Sequence, residues 1–192
     1  IKLMITLPRI TIKFLPSSLL LFFISILFSL DITAQGKISK NKKAIINSLE
    51  NKRERLIEIS DNIWEAAEPA LLEFKSSKYL SDYAEENGFT VERGVAGIPT
   101  AFTAKFGSGR PIIGIMGEFD ANPGISQKKQ PTKEPLVKGA AGHGCGHNIY
   151  GTGSLAAAVA IKELIESGEI SGTVVFYGTP AEETIFAKVW MV

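Results

Sequence analysis

Two short apolar runs and the helical stretch between them limit what this chain can fold into. Residues 111–116 (PIIGIM) and 172–178 (GTVVFYG) are short, nearly continuous apolar runs bounded by Gly and Pro. Runs of that length and composition read as strands, and the little alternation in the first predicts a strand buried on both faces. Residues 149–167 have helical spacing. Leu155, Val159, Leu164 and Ile165 are the larger apolar positions, and Gly151, Gly153, Ala156, Ala157 and Ala160 form a small-residue packing side. Gly168 closes the helix. Strand, helix and strand make a β-α-β unit, for which a parallel pair with a right-handed crossover is the expected geometry. The small side predicts a helix lying close to the sheet.

The rest of the chain adds elements around that unit. Residues 39–68 predict one helix on Ile45, Ile46, Leu49, Leu56, Ile57, Ile59 and Ile63, broken by Pro69. Residues 70–87 predict a second, with Leu71, Leu72, Phe74, Tyr79, Leu80 and Tyr83 on its buried side. Residues 89–95 and 100–106 predict two further strands around a turn at 97–99. Residues 121–142 are a loop by composition, and a loop of that length inside a domain is usually functional or disordered.

The chemistry-bearing residues cluster. The chain has two histidines and one cysteine, all within residues 142–148 (GHGCGHN). In open α/β sheets, sites form beyond the carboxyl ends of the strands. Glu118 and Asp120 follow one strand, Glu182 and Glu183 follow the next, and the His/Cys loop enters the helix at the same rim. Three chemistries fit these residues. In a metal hydrolase, Cys145 and His147 share an ion, and a carboxylate from Glu182–Glu183 completes the site while its neighbour serves as general base. The helix dipole and a nearby cation would favour the Cys145 thiolate, and Gly144 and Gly146 let the backbone turn both side chains inward. A cysteine hydrolase leaves the paired glutamates unexplained and puts nucleophile and base only two residues apart. An inert reading, with a buried Cys, a capping Asn148 and a surface His, requires several coincidences at one rim.

The N-terminus reads separately. Lys2, Arg9 and Lys13 precede the apolar run 19–30 (LLLFFISILFSL), and Ala34-Gln35-Gly36 follow. This predicts a secretory signal peptide over residues 1–35, since the run is shorter than the roughly 18–20 apolar residues of a membrane span. The expectation is an exported protein, periplasmic or secreted, with no stable membrane anchor after cleavage. A net charge of +1 and the absence of a basic block exclude nucleic-acid binding on electrostatic grounds. A single cysteine leaves no internal disulfide. The sequence starts at Ile1, with Met4 as a candidate start, and ends in the mixed apolar run 185–192, so it is expected to be the N-terminal part of a longer frame.

These motifs resemble a known family. GHGCGHN before a Gly/Ala-rich helix, then GTVVFYGTPAEET, together with GIMGEFDANPG and the upstream stretch from IWEAAEPALLEF to GIPTAF, resembles the M20 metallopeptidase family over about residues 45–192. The likeness is to its amidohydrolase branch, of the aminobenzoyl-glutamate utilisation protein B type, with Asn148 standing where many relatives have Asp. The resemblance implies an α/β fold: the N-terminal part of a zinc-peptidase-like catalytic domain, with a mixed sheet flanked by helices. Residues 36–192 would be a partial catalytic metallohydrolase domain. By position, Cys145, His147 and Glu183 match metal ligands. Glu182 matches the general base that activates the attacking water, and Asp120 matches the acidic residue behind the metal site, with Glu118 less closely placed. The implied cofactor is one or two divalent ions of the Zn, Mn or Co type. The implied reaction is hydrolysis of an amide joining an acyl or aminobenzoyl group to an amino acid, or of a dipeptide. Family members are about twice this length, with later histidine ligands and a smaller α+β domain used for homodimerisation. This stretch alone is therefore expected to be inactive and to leave an unpaired sheet edge.

Overall fold

The computed structural model describes residues 38–191, and the predicted signal segment 1–35 lies outside them. The elements run α1 (Lys40–Asn51), α2 (Arg53–Ala66), α3 (Phe74–Glu86), β1 (Thr90–Arg93), β2 (Phe102–Ser108), β3 (Ile112–Glu118), α4 (His147–Glu166), β4 (Gly172–Thr179) and the single turn α5 (Glu182–Ile185). The four strands form one mixed sheet in the order β1-β2-β4-β3. β3 and β4 pair in parallel, Ile112 to Thr173 through Glu118 to Thr179, with α4 as the crossover. β2 lies antiparallel on the other side of β4.

The small-residue side of α4 sets its distance from the sheet. A Cβ on Gly151 would lie 2.5 Å from the Glu118 carbonyl oxygen, and one on Gly117 would lie 3.0 Å from Gly151 Cα. Beneath the helix, Phe102 packs at a tilt against Phe176 and Phe119, with ring centroids 5.7 and 6.2 Å apart. Ile59 and Ile63 of α2, Leu80 of α3, Leu155 and Val159 of α4 and Val174 of β4 close the core.

Three expectations about packing are corrected. β3 is the outer strand of the described sheet, so it is not buried on both faces: Ile112, Ile113 and Met116 are about half exposed. An apolar run reports that a strand wants cover, whereas strand order decides whether it receives it. The first predicted helix divides at Lys52 into α1 and α2. There the Lys52 ammonium turns back to Ser48 and across to Glu163 of α4. The second helix starts only at Phe74, because Leu71 takes a left-handed φ of 63° in a turn closed by the Leu72 N–H on the Pro69 carbonyl. Leu71, Leu72 and Phe74 therefore lie exposed, while Leu80 and Tyr83 are buried as expected. Loop 121–142 closes on itself, with Asn122 and Gly142 exchanging backbone hydrogen bonds of 2.9 and 3.0 Å.

Candidate metal centre

The rim beyond the β3 and β4 carboxyl ends gathers its side chains around His147. Gly146, at a positive φ of 76°, caps α4, so His147 is the first residue of that helix. Its imidazole is buried. Nδ1 lies 3.0 Å from Asp120 Oδ1 and 3.1 Å from the Asp120 carbonyl oxygen. Both oxygens only accept, so Nδ1 carries the proton and donates. That leaves Nε2 facing three carboxylates: Glu118 at 3.3 Å, Glu183 at 3.7 Å and Glu182 at 3.9 Å.

Donor atoms of Glu118, His147 and Glu182 all lie within 4.8 Å of one another. This trio is not the predicted set of Cys145, His147 and Glu183, although all of these residues share the rim. Glu183 brings a second feature: its Oε1 is buried without a hydrogen-bond partner. Cys145 is exposed. Asn122 Nδ2 lies 3.8 Å from Cys145 Sγ, and Asn122 Oδ1 accepts from the Gly144 N–H at 3.1 Å, which fixes the Cys loop to the end of β3. His143 points elsewhere. Its Nε2–H donates to the Ile63 carbonyl at 3.1 Å, and its Nδ1 is buried and unpartnered. Asn148 is no cap. It sits inside α4, and its Nδ2 donates to the Ser60 hydroxyl at 3.1 Å.

The local electrostatics follow from this crowding. Burial alone would raise the Asp120 carboxyl. The His147 hydrogen bond and charge and the amides of Glu183 and Glu182 outweigh it, and the group sits below its ordinary range. Burial alone would lower His147, but its bond to Asp120 and the charges of Asp120, Glu118 and Glu183 push it up. Burial holds His143 down. The Cys145 thiol is pushed up, first by its hydrogen bond to Glu183 and then by desolvation, with Glu183 and Glu182 charge adding. The neighbouring carboxylate charges thus act against the helix dipole. Among the described residues, Lys188 is the cation that answers the acidic rim: it pairs with Glu118 and lies 3.6 Å from Glu182.

The donor set suits a divalent cation. It offers an imidazole nitrogen of fixed tautomer, a thiol and several carboxylate oxygens, one of them buried without a partner. Lys188 and Asn122 were not foreseen. Lys188 lies in a run that reads as apolar, and Asn122 in one that reads as turn. The expected role of Glu118 was the least defined, yet the geometry puts it in the central trio.

A histidine–carboxylate rim beyond the strand ends of an α/β sheet lies where such folds place their sites, and its donors are those of a divalent-metal centre. Residues 114–191 match Peptidase family M20/M25/M40. The chain is 45% identical to a p-aminobenzoyl-glutamate hydrolase component of Escherichia coli K12 over 151 residues, 77% of this chain and 31% of that protein. A structure described as an aminohydrolase from methicillin-resistant Staphylococcus aureus superposes with a TM-score of 0.65 at 26% identity, over 78% of this chain and 38% of that one. A dinuclear metal-binding M20 peptidase of Bacillus subtilis superposes at 0.59 with 26% identity, over 70% and 36%. Residues 114–191 carry a Peptidase M20 family domain, and the chain's relatives include hydrolases of that family. It spans about a third of the length of the relatives it matches.

Proposed function

We propose that these residues supply the metal-binding half of a metal-dependent amidohydrolase that cleaves an amide to an amino acid, in an N-acyl or aminobenzoyl amino acid or a dipeptide. The observation that carries this is the buried His147 imidazole, whose Nδ1–H is held by Asp120 and whose Nε2 faces Glu118, Glu182 and Glu183. His147, Cys145 and Glu183 would hold the cation, and the unpartnered Glu183 Oε1 is the oxygen free to do so. A divalent cation of the Zn, Mn or Co type, one or two per site, supplies Lewis-acid activation of the amide carbonyl and of water. Glu182, 24% exposed and the outermost of the four carboxylates, takes the proton from the attacking water and returns it to the leaving amine. Asp120 fixes the His147 tautomer and ring plane.

The Escherichia coli relative is a p-aminobenzoyl-glutamate hydrolase component, so that compound is the substrate to test first. Residues 1–35 are proposed as an export signal and 36–192 as part of the catalytic domain, acting outside the cytoplasm. The whole enzyme is proposed to be a homodimer whose remaining ligands come from sequence beyond this stretch. By itself this stretch is proposed to bind metal without turnover, a reading favoured by its having only two histidines, one of them tied to Ile63.

The test compares Cys145→Ser and Glu182→Gln in the complete enzyme. Cys145→Ser weakens Zn2+ or Mn2+ binding, whereas Glu182→Gln keeps binding and abolishes hydrolysis. Equal metal loss in both variants contradicts the assigned roles.

A further inference from the structure

The segment joining α2 to α3 touches both loops that carry the site's carboxylates. The Glu68 carbonyl accepts from the Ala121 N–H at 2.9 Å, one residue past Asp120. Further on, the Glu73 side chain is turned inward with no exposed surface. Its Oε1 accepts from the Ala181 N–H at 2.8 Å, and its Oε2 accepts from the Thr100 hydroxyl at 3.0 Å. Glu73 stands at the N-cap position of α3 yet makes no side-chain cap bond; Glu68 performs that task for Lys75 and Ser76. Burial raises the Glu73 carboxyl, so the group is kept inside against a desolvation cost that an ordinary capping residue would not meet.

Its partner explains the placement. Ala181 immediately precedes Glu182 and Glu183, and it holds a left-handed conformation, φ 55° and ψ 37°. A residue with a Cβ is strained there and stays only where its surroundings hold it. That turn ends the extended path of β4 and starts α5, so that Glu183 N–H meets Asp120 Oδ2 at 2.9 Å and both glutamates face His147. We propose that Glu73 is a positioning residue: its buried carboxylate holds Ala181 in the left-handed turn and thereby aims Glu182 and Glu183 at the His147 rim. The consequence for metal binding rests on the function proposed above; the consequence for the loop does not.

The experiment uses the intact protein with Glu73→Met, Glu73→Gln and Glu73→Met combined with Ala181→Gly. Methionine refills the space without a charge to desolvate but cannot accept from Ala181. Glutamine keeps an acceptor for Ala181, and its amide can donate to Thr100. Amide exchange at residues 181 and 183, measured without metal, is expected to quicken about tenfold or more in Glu73→Met, with Val174 and Phe176 unchanged, as local rather than global opening requires. Titration with Zn2+ or Mn2+ alone is expected to show roughly tenfold weaker binding in Glu73→Met, near-parent binding in Glu73→Gln, and partial recovery on adding Ala181→Gly. Unchanged exchange at 181 and 183, or equal quickening there and in β4, overturns the proposal. If Glu73→Met does not fold, Glu73→Gln decides: parent-like exchange at 181 and 183 supports the assignment, and quickening confined to them overturns it. If the parent protein binds neither ion, the metal reading fails while the exchange result still judges Glu73.

Discussion

Asp120→Asn tests the centre of the site most directly. The Asp120 carboxylate has no exposed surface and makes two bonds, from His147 Nδ1 at 3.0 Å and from Glu183 N–H at 2.9 Å. Asparagine has the same shape but turns one oxygen into a donor. If the new NH2 faces Glu183, two donors meet. If it faces His147, the ring proton must move to Nε2, the nitrogen turned toward Glu118, Glu182 and Glu183. Either way one charge-assisted bond is lost, about 1.5–3 kcal/mol. The Asp120 carbonyl, 3.1 Å from Nδ1, still accepts and moderates the loss. We expect about 2 kcal/mol lower stability by urea unfolding at neutral pH. Divalent affinity should fall roughly 10–100-fold by titration, as for other residues that orient a metal-binding histidine. Unfolding free energy within about 0.5 kcal/mol of the parent, together with unchanged Zn2+ affinity, would refute the claim that Asp120 sets the His147 geometry.

The same pair makes metal-free stability depend on pH. Asp120 is lowered from its ordinary value of 3.8, so its contribution is present above that pH and lost as pH falls through the lower folded value. His147 is raised from 6.5, so its contribution is complete below that pH and lost as pH rises through the higher folded value. Urea unfolding across pH should show an alkaline decline above about pH 6.5 that His147→Gln removes; an unchanged decline in that variant would assign it elsewhere. Lys188→Met removes the ammonium paired with Glu118 and should tighten Zn2+ or Mn2+ binding roughly tenfold, a fraction of the ~4 kcal/mol that two charges exchange at ~4 Å near a surface. Weaker binding in that variant would mean that Lys188 supports the site rather than competing with the ion. Gly178→Ala would place a Cβ 2.1 Å from Phe102 Cε1, in a ring cluster with no exposed surface to yield. A loss of about 1–3 kcal/mol or more is expected by thermal unfolding, and parent-like stability would show that the cluster can shift.

The β-α-β unit was legible because its signals are local. The apolar runs around 111–116 and 172–178 fix strand character, and the 3.6-residue spacing with Gly151 on the packing side fixes a helix that lies close. From that unit alone, the rule that sites form at carboxyl ends brings Glu118, Asp120, His147, Glu182 and Glu183 to one rim. The structure finds their donor atoms within a few ångströms of His147.

The tertiary structure decided what depends on partners distant in sequence. Strand order put β3 on the outside of the described sheet and exposed Ile112 and Ile113, which no periodicity reports. The turn at Leu71 delayed α3 and freed Glu73 to reach Ala181, 108 residues away. Lys188 and Asn122 are ordinary polar residues until folding sets one against Glu118 and the other against the Cys145 loop. Residue type and spacing therefore determined which groups could reach the rim. Hydrogen bonds across 27 to 108 residues determined the tautomer of His147 and the aim of Glu182 and Glu183, and the nearness of Glu183 pushed up the Cys145 thiol, because those depend on distances that only the packed chain fixes.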